Sequence, residues 1–65
     1  MKYRIEVKWN RNFHYSPFSG PINNKKTASY ICEELKNSGD GARIKDARII
    51  NDLGEVIYAY GKFIK

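Results

Sequence analysis

Apolar and charged residues alternate along the first segment of the chain, "KYRIEVKW". Tyr3, Ile5, Val7 and Trp9 occupy every second position. The positions between them hold charged residues: Lys2, Arg4, Glu6 and Lys8. A period of two places the first set on one face of a β-strand and the second set on the other. The pattern therefore predicts a strand with one buried face and one solvated, mostly basic face.

The next segment mixes turn residues with aromatic rings. "NRN" at 10–12 predicts a turn, and Phe13 and Tyr15 alternate with His14. A short return strand over 13–15 and an irregular loop are both open at this point. Pro17 would end such a strand or confine it to a sheet edge. "SGPINN" at 19–24 is typical of a turn or loop.

A helix is predicted over about 24–37. Its apolar stripe follows the spacing i, i+3, i+4, i+7 and consists of Ala28, Ile31, Cys32 and Leu35. Asn23 or Asn24 can cap the amino end. Gly39 suits the residue with positive φ that often ends a helix. Phe18 and Ile22 can pack where the chain enters this helix.

Two further strands are predicted over 42–50 and 55–64, after a "GDG" turn at 39–41. "NDLG" at 51–54 joins them as a hairpin connection in which Gly54 can take a positive φ. Ile44 is out of phase with Ala47 and Ile49, so a β-bulge near 45–46 is expected. The last strand is apolar on both faces, which suits a central strand or one whose second face meets a partner.

The predicted fold is α+β, as a single domain over 1–65. Its elements are a strand, a second strand that 13–15 would supply, a helix and two strands, giving a three- or four-stranded, mainly antiparallel sheet. One helix of about fourteen residues, roughly 21 Å long, covers one face of the sheet. The other face is left to water or to a second copy of the chain, so a homodimer through that face is one expectation.

Composition narrows the ways in which such a small domain can be stabilised. The 65 residues include one cysteine and one histidine, which excludes an internal disulfide and a four-ligand Cys/His metal site. No cofactor is predicted. No segment has the apolar run of a signal peptide or a membrane span. We therefore expect a cytoplasmic protein that does not associate with membranes.

Charge is unevenly distributed along the chain. Residues 1–32 hold six of the lysines and arginines and a single acid, whereas 33–65 hold six bases and six acids. The formal net charge of +5 therefore arises from the first half. A segregated excess of this kind attracts an anionic partner, and salt weakens the attraction.

Catalysis is not predicted. Cys32 lies on the apolar stripe of the helix, where a cysteine is typically a small buried side chain. His14 lies between two aromatic residues and is expected to have a surface or packing role. Glu33 and Glu34 are expected on the solvated side of the helix. We find no constellation that would serve acid–base or nucleophilic chemistry, so no catalytic residue is assigned.

The function that the pattern favours is binding of RNA or single-stranded DNA. Rings on which bases stack and cations that bind phosphates are what such a ligand needs. The predicted interface consists of Lys2, Arg4, Lys8, Arg11, Phe13, His14, Tyr15, Lys25 and Lys26. Lys25 and Lys26 lie at the helix N-terminus, where the helix dipole disfavours cations. Together with the exposed N–H groups of the first turn, they would suit a bound phosphate. The rings also have a structural interpretation, as core residues of a small domain.

A protein-interaction module is the alternative, such as a phage-type inhibitor or an accessory subunit. An acidic protein surface could bind the same cations. The last strand, which is apolar on both faces, could contact a partner protein. Residues 17–39, "PFSGPINNKKTASYICEELKNSG", resemble the strand–helix half of bacterial cell-wall-binding repeat domains of the SPOR type. The second half of that repeat is missing, so the resemblance implies no function here.

Overall fold

The computed structural model describes residues 2–37 and 43–64, which form five strands and one helix. In chain order these are β1 (Tyr3–Trp9), β2 (Ser16–Ile22), α1 (Lys25–Asn37), β3 (Ile44–Asn51), β4 (Val56–Ala59) and β5 (Lys62–Phe63). The strands make one antiparallel sheet in the order β2-β1-β3-β4-β5. The predicted α+β class is confirmed, and the sheet has five strands rather than three or four.

Strand β1 lies inside the sheet and behaves as its alternation predicts. Ile5 and Val7 are buried, and they pack in one cluster with Ala28 and Cys32 of α1. The helix therefore covers the face of β1 that carries these apolar residues. Arg4, Glu6 and Lys8 lie on the opposite face, because successive side chains of a strand alternate.

The predicted β-bulge in β3 is confirmed. Lys8 is paired with Asp46, but the next residue, Trp9, is paired with Ile44, so Lys45 is the extra residue. The bulge restores the phase of the strand. As a result Ile44, Ala47 and Ile49 are all buried in the core.

Of the two alternatives for residues 13–15, the structure shows the loop, and the return strand forms further along the chain. Residues 13–15 belong to no strand, and the segment that pairs with β1 is Ser16–Ile22. Pro17 and Pro21 fit there because β2 is an edge strand, where a missing backbone N–H is tolerated. Gly20 has φ +138°, and a Cβ atom at this position would lie 3.1 Å from the Arg4 Cα. Glycine thus allows the edge strand to approach β1 closely.

Helix α1 begins and packs largely as predicted. The Asn24 Oδ1 accepts hydrogen bonds from the backbone N–H of Lys26 (2.8 Å) and of Thr27 (3.3 Å), which identifies Asn24 as the cap. Ala28 and Cys32 are buried, and Ile31 and Leu35 pack against the core. The predicted helix end at Gly39 and the turn at 39–41 lie outside the described residues.

The connection between β3 and β4 forms the predicted hairpin. Gly54 has φ +79°, and the Asn51 Oδ1 accepts hydrogen bonds from the backbone N–H groups of Leu53 and Glu55. Asparagine here bonds the turn that follows it, which is its common role at such positions.

The last predicted strand is in fact two strands. Tyr60 and Gly61 have φ of +56° and +81°, and this pair of positive angles is the signature of a two-residue hairpin turn. β5 then folds back so that Phe63 pairs with Tyr58, and their rings meet edge to face with centroids 5.0 Å apart. Ile57, Tyr58 and Ala59 are therefore buried within the chain itself, which explains why this segment is apolar on both faces.

Candidate nucleic-acid interface

The face of the sheet opposite α1 is the candidate interface, and we call it the open face. Glu6 is paired with Arg48 and Arg4 with Ile50 across β1 and β3, and directly opposed residues share a face. Phe18 of β2 lines a shallow groove of about 300 Å³ together with Arg4 and Glu6. The open face is thus defined by Arg4, Glu6, Lys8, Phe18, Arg48 and Ile50.

The open face carries net positive charge. Glu6 is held by Arg48, whose Nη2 and Nε lie 2.7 Å and 2.8 Å from the Glu6 Oε1. Lys2 extends the face at one end, where it lines a second groove with Arg4, Glu6 and Ile50. Asp52 at the edge of that groove and Asp46, which is paired with Lys8 across β1 and β3, offset part of the charge. The cations that the first strand was predicted to group together do share one face.

Tyr15 holds two of these cations in place. The Lys8 Nζ lies 4.7 Å from the centroid of the Tyr15 ring, and the Arg48 Cζ lies 3.9 Å from it. Cation–π contacts at partly exposed sites are worth about 0.5–1 kcal/mol each. Tyr15 was predicted as a stacking ring for bases, but in the structure its ring is already engaged by protein cations. Its role in the candidate interface is to position Lys8 and Arg48.

The hydroxyl of Tyr15 donates a hydrogen bond to the Asp46 Oδ2 at 2.6 Å. Burial raises the pKa of Tyr15 well above its ordinary value, and the hydrogen bond to the Asp46 carboxylate raises it further. The phenol therefore stays protonated at neutral pH and keeps donating this bond.

Asp46 is the residue that sequence reasoning missed. It is 2% exposed, and its Oδ1 also accepts a hydrogen bond from the backbone N–H of Tyr60 (3.2 Å) and lies 3.3 Å from the Lys36 Nζ. This carboxylate joins the segment after β1, the end of α1, β3 and the turn after β4. The position of the predicted bulge was the available signal, since a bulge re-aims a side chain.

A third groove lies at the end of β1. It has a volume of about 530 Å³ and is lined by Trp9, Asn10, Arg11 and Arg43. Arg11 was predicted as part of the interface, whereas Arg43 was not. Phe13 and His14 follow Arg11 in the predicted interface. Both are exposed in the loop, and Phe13 is 87% exposed.

Lys25 and Lys26 are not on the open face. They begin α1, which packs on the other side of the sheet, and the Lys25 Nζ lies 5.8 Å from the centroid of the Phe63 ring. The backbone N–H groups of Lys26 and Thr27 already bond the Asn24 side chain, which leaves fewer donors for a phosphate at this helix start. The structure thus divides the predicted nine-residue set between two sides of the molecule and a loop.

Phe18 was expected to pack at the entrance of the helix, and this was wrong. Ile22 does pack against the core, but Phe18 is 46% exposed beside Arg4. The cause is the edge strand β2, which sequence reasoning treated as a turn. An exposed ring next to a cation is the arrangement that the predicted function requires, so Phe18 joins the candidate interface.

Cys32 is buried, as predicted. Burial raises the pKa of its thiol to about 11, and the Asp46 carboxylate acts in the same direction. The thiol is therefore protonated at neutral pH and is a poor nucleophile. Within residues 2–37 and 43–64, no three His, Cys, Asp or Glu side chains are grouped so as to hold a metal ion.

Comparisons with known proteins give no information on function. Neither a scan against protein-family models nor searches of curated proteins and of solved structures find a match for this chain. In the described part of the chain no helix has the length and apolar character needed to cross a bilayer.

Proposed function

We propose that the protein is a small, non-catalytic nucleic-acid-binding protein that holds RNA or single-stranded DNA on its open face. The observation that carries the proposal is that Arg4, Lys8 and Arg48 lie on one face while α1 covers the other, and that Lys2 lines a groove with Arg4 at the end of that face. A polyanion laid across this face meets cations that the protein has already positioned. The free, buried thiol of Cys32 is compatible with the reducing cytoplasm in which we place this function.

Single strands suit the open face better than a duplex does. Phe18 is an exposed ring in the groove that Arg4 lines, and an unpaired base can stack on such a ring while its phosphate binds the guanidinium. Stacking on an aromatic side chain is worth about 1–3 kcal/mol per base. In a duplex the bases are already stacked on one another and offer only the phosphates.

Salt dependence is the first test of this function. Contacts between three or four cations and the phosphates of a single strand give a slope of log K against log salt of about −2 to −3. The affinity should therefore fall about 15- to 60-fold between about 50 and 200 mM salt. Fluorescence anisotropy of a labelled oligouridine strand measures it, with a duplex of the same length as the comparison. If neither the oligouridine strand nor the duplex binds at the lowest salt, the proposal is overturned.

Replacement of Phe18 by alanine is expected to weaken single-strand binding about tenfold, because one stacking contact of about 1–3 kcal/mol is lost. Duplex binding should change little. Leu53→Ala is the matched control, since Leu53 is also an exposed apolar side chain but lies in the turn between β3 and β4. Equal losses in the two variants, measured in the same anisotropy assay, would rule out a stacking role for Phe18.

The alternative, a protein-interaction module, has one observation in its favour. Tyr60, Phe63 and Ile64 are exposed near the β5 edge. The apolar strand that suggested a partner is, however, buried by the chain itself, and the edge strands are short or contain prolines, which disfavours edge-to-edge pairing. A homodimer through the open face would bring like charges together. An acidic protein that binds in place of RNA in the anisotropy competition would favour this alternative.

A further inference from the structure

The groove at the end of β1 is lined by residues that are not part of the open face. A tight turn follows Trp9, since the backbone N–H of Asn12 donates to the Trp9 carbonyl oxygen at 3.0 Å. The backbone N–H of Asn10 donates to the Arg43 carbonyl oxygen at 2.8 Å. These two bonds fix the segment that carries Arg11 against the segment that carries Arg43.

The chemistry of the lining residues points to one class of ligand. Trp9 is partly buried, packs against the core and is one of the residues that line the groove. Arg11 and Arg43 are exposed and line the same groove, and guanidinium groups bind phosphate through paired hydrogen bonds. No acidic side chain is among the described residues that line it. The volume of about 530 Å³ falls in the range of about 300–1,000 Å³ that is typical of small-ligand sites.

We infer that this groove binds one nucleoside monophosphate unit, with the base stacked on Trp9 and the phosphate held by Arg11 and Arg43. The inference deepens the proposed function and rests on it, because the unit belongs to the same strand that crosses the open face. The groove then holds an unpaired nucleotide that is accessible on both its base and its phosphate. A base inside a duplex cannot enter it.

Trp9 is the only tryptophan in the chain, so its fluorescence reports directly on the groove. Uridine 5′-monophosphate is expected to quench the fluorescence of Trp9 when the indole is excited selectively. Half-saturation is expected at about 1 mM, because a single nucleotide binds weakly. Uridine alone lacks the phosphate, and inorganic phosphate alone lacks the base. Each should bind at least about tenfold more weakly, because each loses one of the two contacts.

Arg43→Ala should raise the half-saturating concentration of uridine monophosphate about tenfold, since one charge-assisted contact is removed. Lys45→Ala is the control, because Lys45 is an exposed cation two residues further along that does not line the groove. It should leave the titration unchanged, and both variants should keep the circular dichroism spectrum of the parent protein. No quenching at millimolar nucleotide, or equal effects of the two variants, would overturn the inference.

The experiment separates this inference from the proposed function. If a labelled strand binds with the expected salt dependence while uridine monophosphate does not perturb Trp9, the groove inference fails and the open-face function stands. If the nucleotide quenches Trp9 but no strand binds, the groove is a nucleotide site and the open-face function fails.

Discussion

Charge reversal at two positions of the open face, Arg4→Glu with Lys8→Glu, is expected to reduce single-strand binding about 100-fold or more at physiological salt. The change removes two phosphate contacts and places two anions where the backbone of the ligand would lie. Both side chains project from β1 on the side away from α1. Anisotropy titrations of variant and parent at one salt concentration measure the effect.

The control variant changes the net charge by the same amount at two positions outside the open face. Lys26→Glu with Lys62→Glu alters exposed cations at the start of α1 and in β5, and we expect it to weaken binding less than about fivefold through the general field. Lys8 also contacts the Tyr15 ring, so thermal unfolding must show that the first variant is folded. If the two variants lose affinity equally, binding depends on overall charge rather than on the open face.

Replacement of Asp46 by alanine is expected to lower the free energy of unfolding by about 3 kcal/mol or more. The buried carboxylate accepts bonds from the Tyr15 hydroxyl and the Tyr60 backbone N–H, and leaving these two donors unsatisfied costs about 1–3 kcal/mol each. Lys36 is about one-third exposed and regains water, so most of the loss comes from the other two donors. Domains of this size have only a few kcal/mol of stability, so much of the variant should be unfolded at body temperature.

Urea unfolding followed by Trp9 fluorescence gives this free energy. Tyr15→Phe removes one donor to the carboxylate but keeps the ring beneath Lys8 and Arg48, so it should cost less than Asp46→Ala, about 1.5–3 kcal/mol. Asp52→Ala removes an exposed carboxylate and should change stability by less than about 0.5 kcal/mol. An Asp46→Ala variant as stable as Asp52→Ala would show that the buried carboxylate does not hold these elements together.

The parts of the fold that depend on local patterns could be predicted from the sequence. The alternation in β1, the apolar stripe of α1 and the Gly54 turn each place residues by a period or by a backbone preference. The bulge was predictable too, because Ile44 must change phase to be buried with Ala47 and Ile49. These features follow from neighbours in the chain.

Other parts depend on contacts between distant segments. β2 contains two prolines and a glycine, and it forms a strand only because β1 offers it an edge. Tyr60 gives no strong signal for a positive φ, so the turn before β5 was missed. The cations of β1 share a face by their spacing alone, but the presence of Arg48 beside them and the separation of Lys25 follow from the strand order and from the side on which α1 packs.

The central claim is that single-stranded nucleic acid lies on the open face, and backbone amide chemical shifts measured during titration with a short oligouridine strand test it most directly. We expect the largest shift changes in β1 between Arg4 and Lys8, in β2 near Phe18 and at Arg48 in β3. Amides of α1 around Tyr30 and Glu34 should stay nearly unchanged. Changes concentrated in α1 with β1 unaffected, or no changes at saturating strand concentration and low salt, would contradict the account.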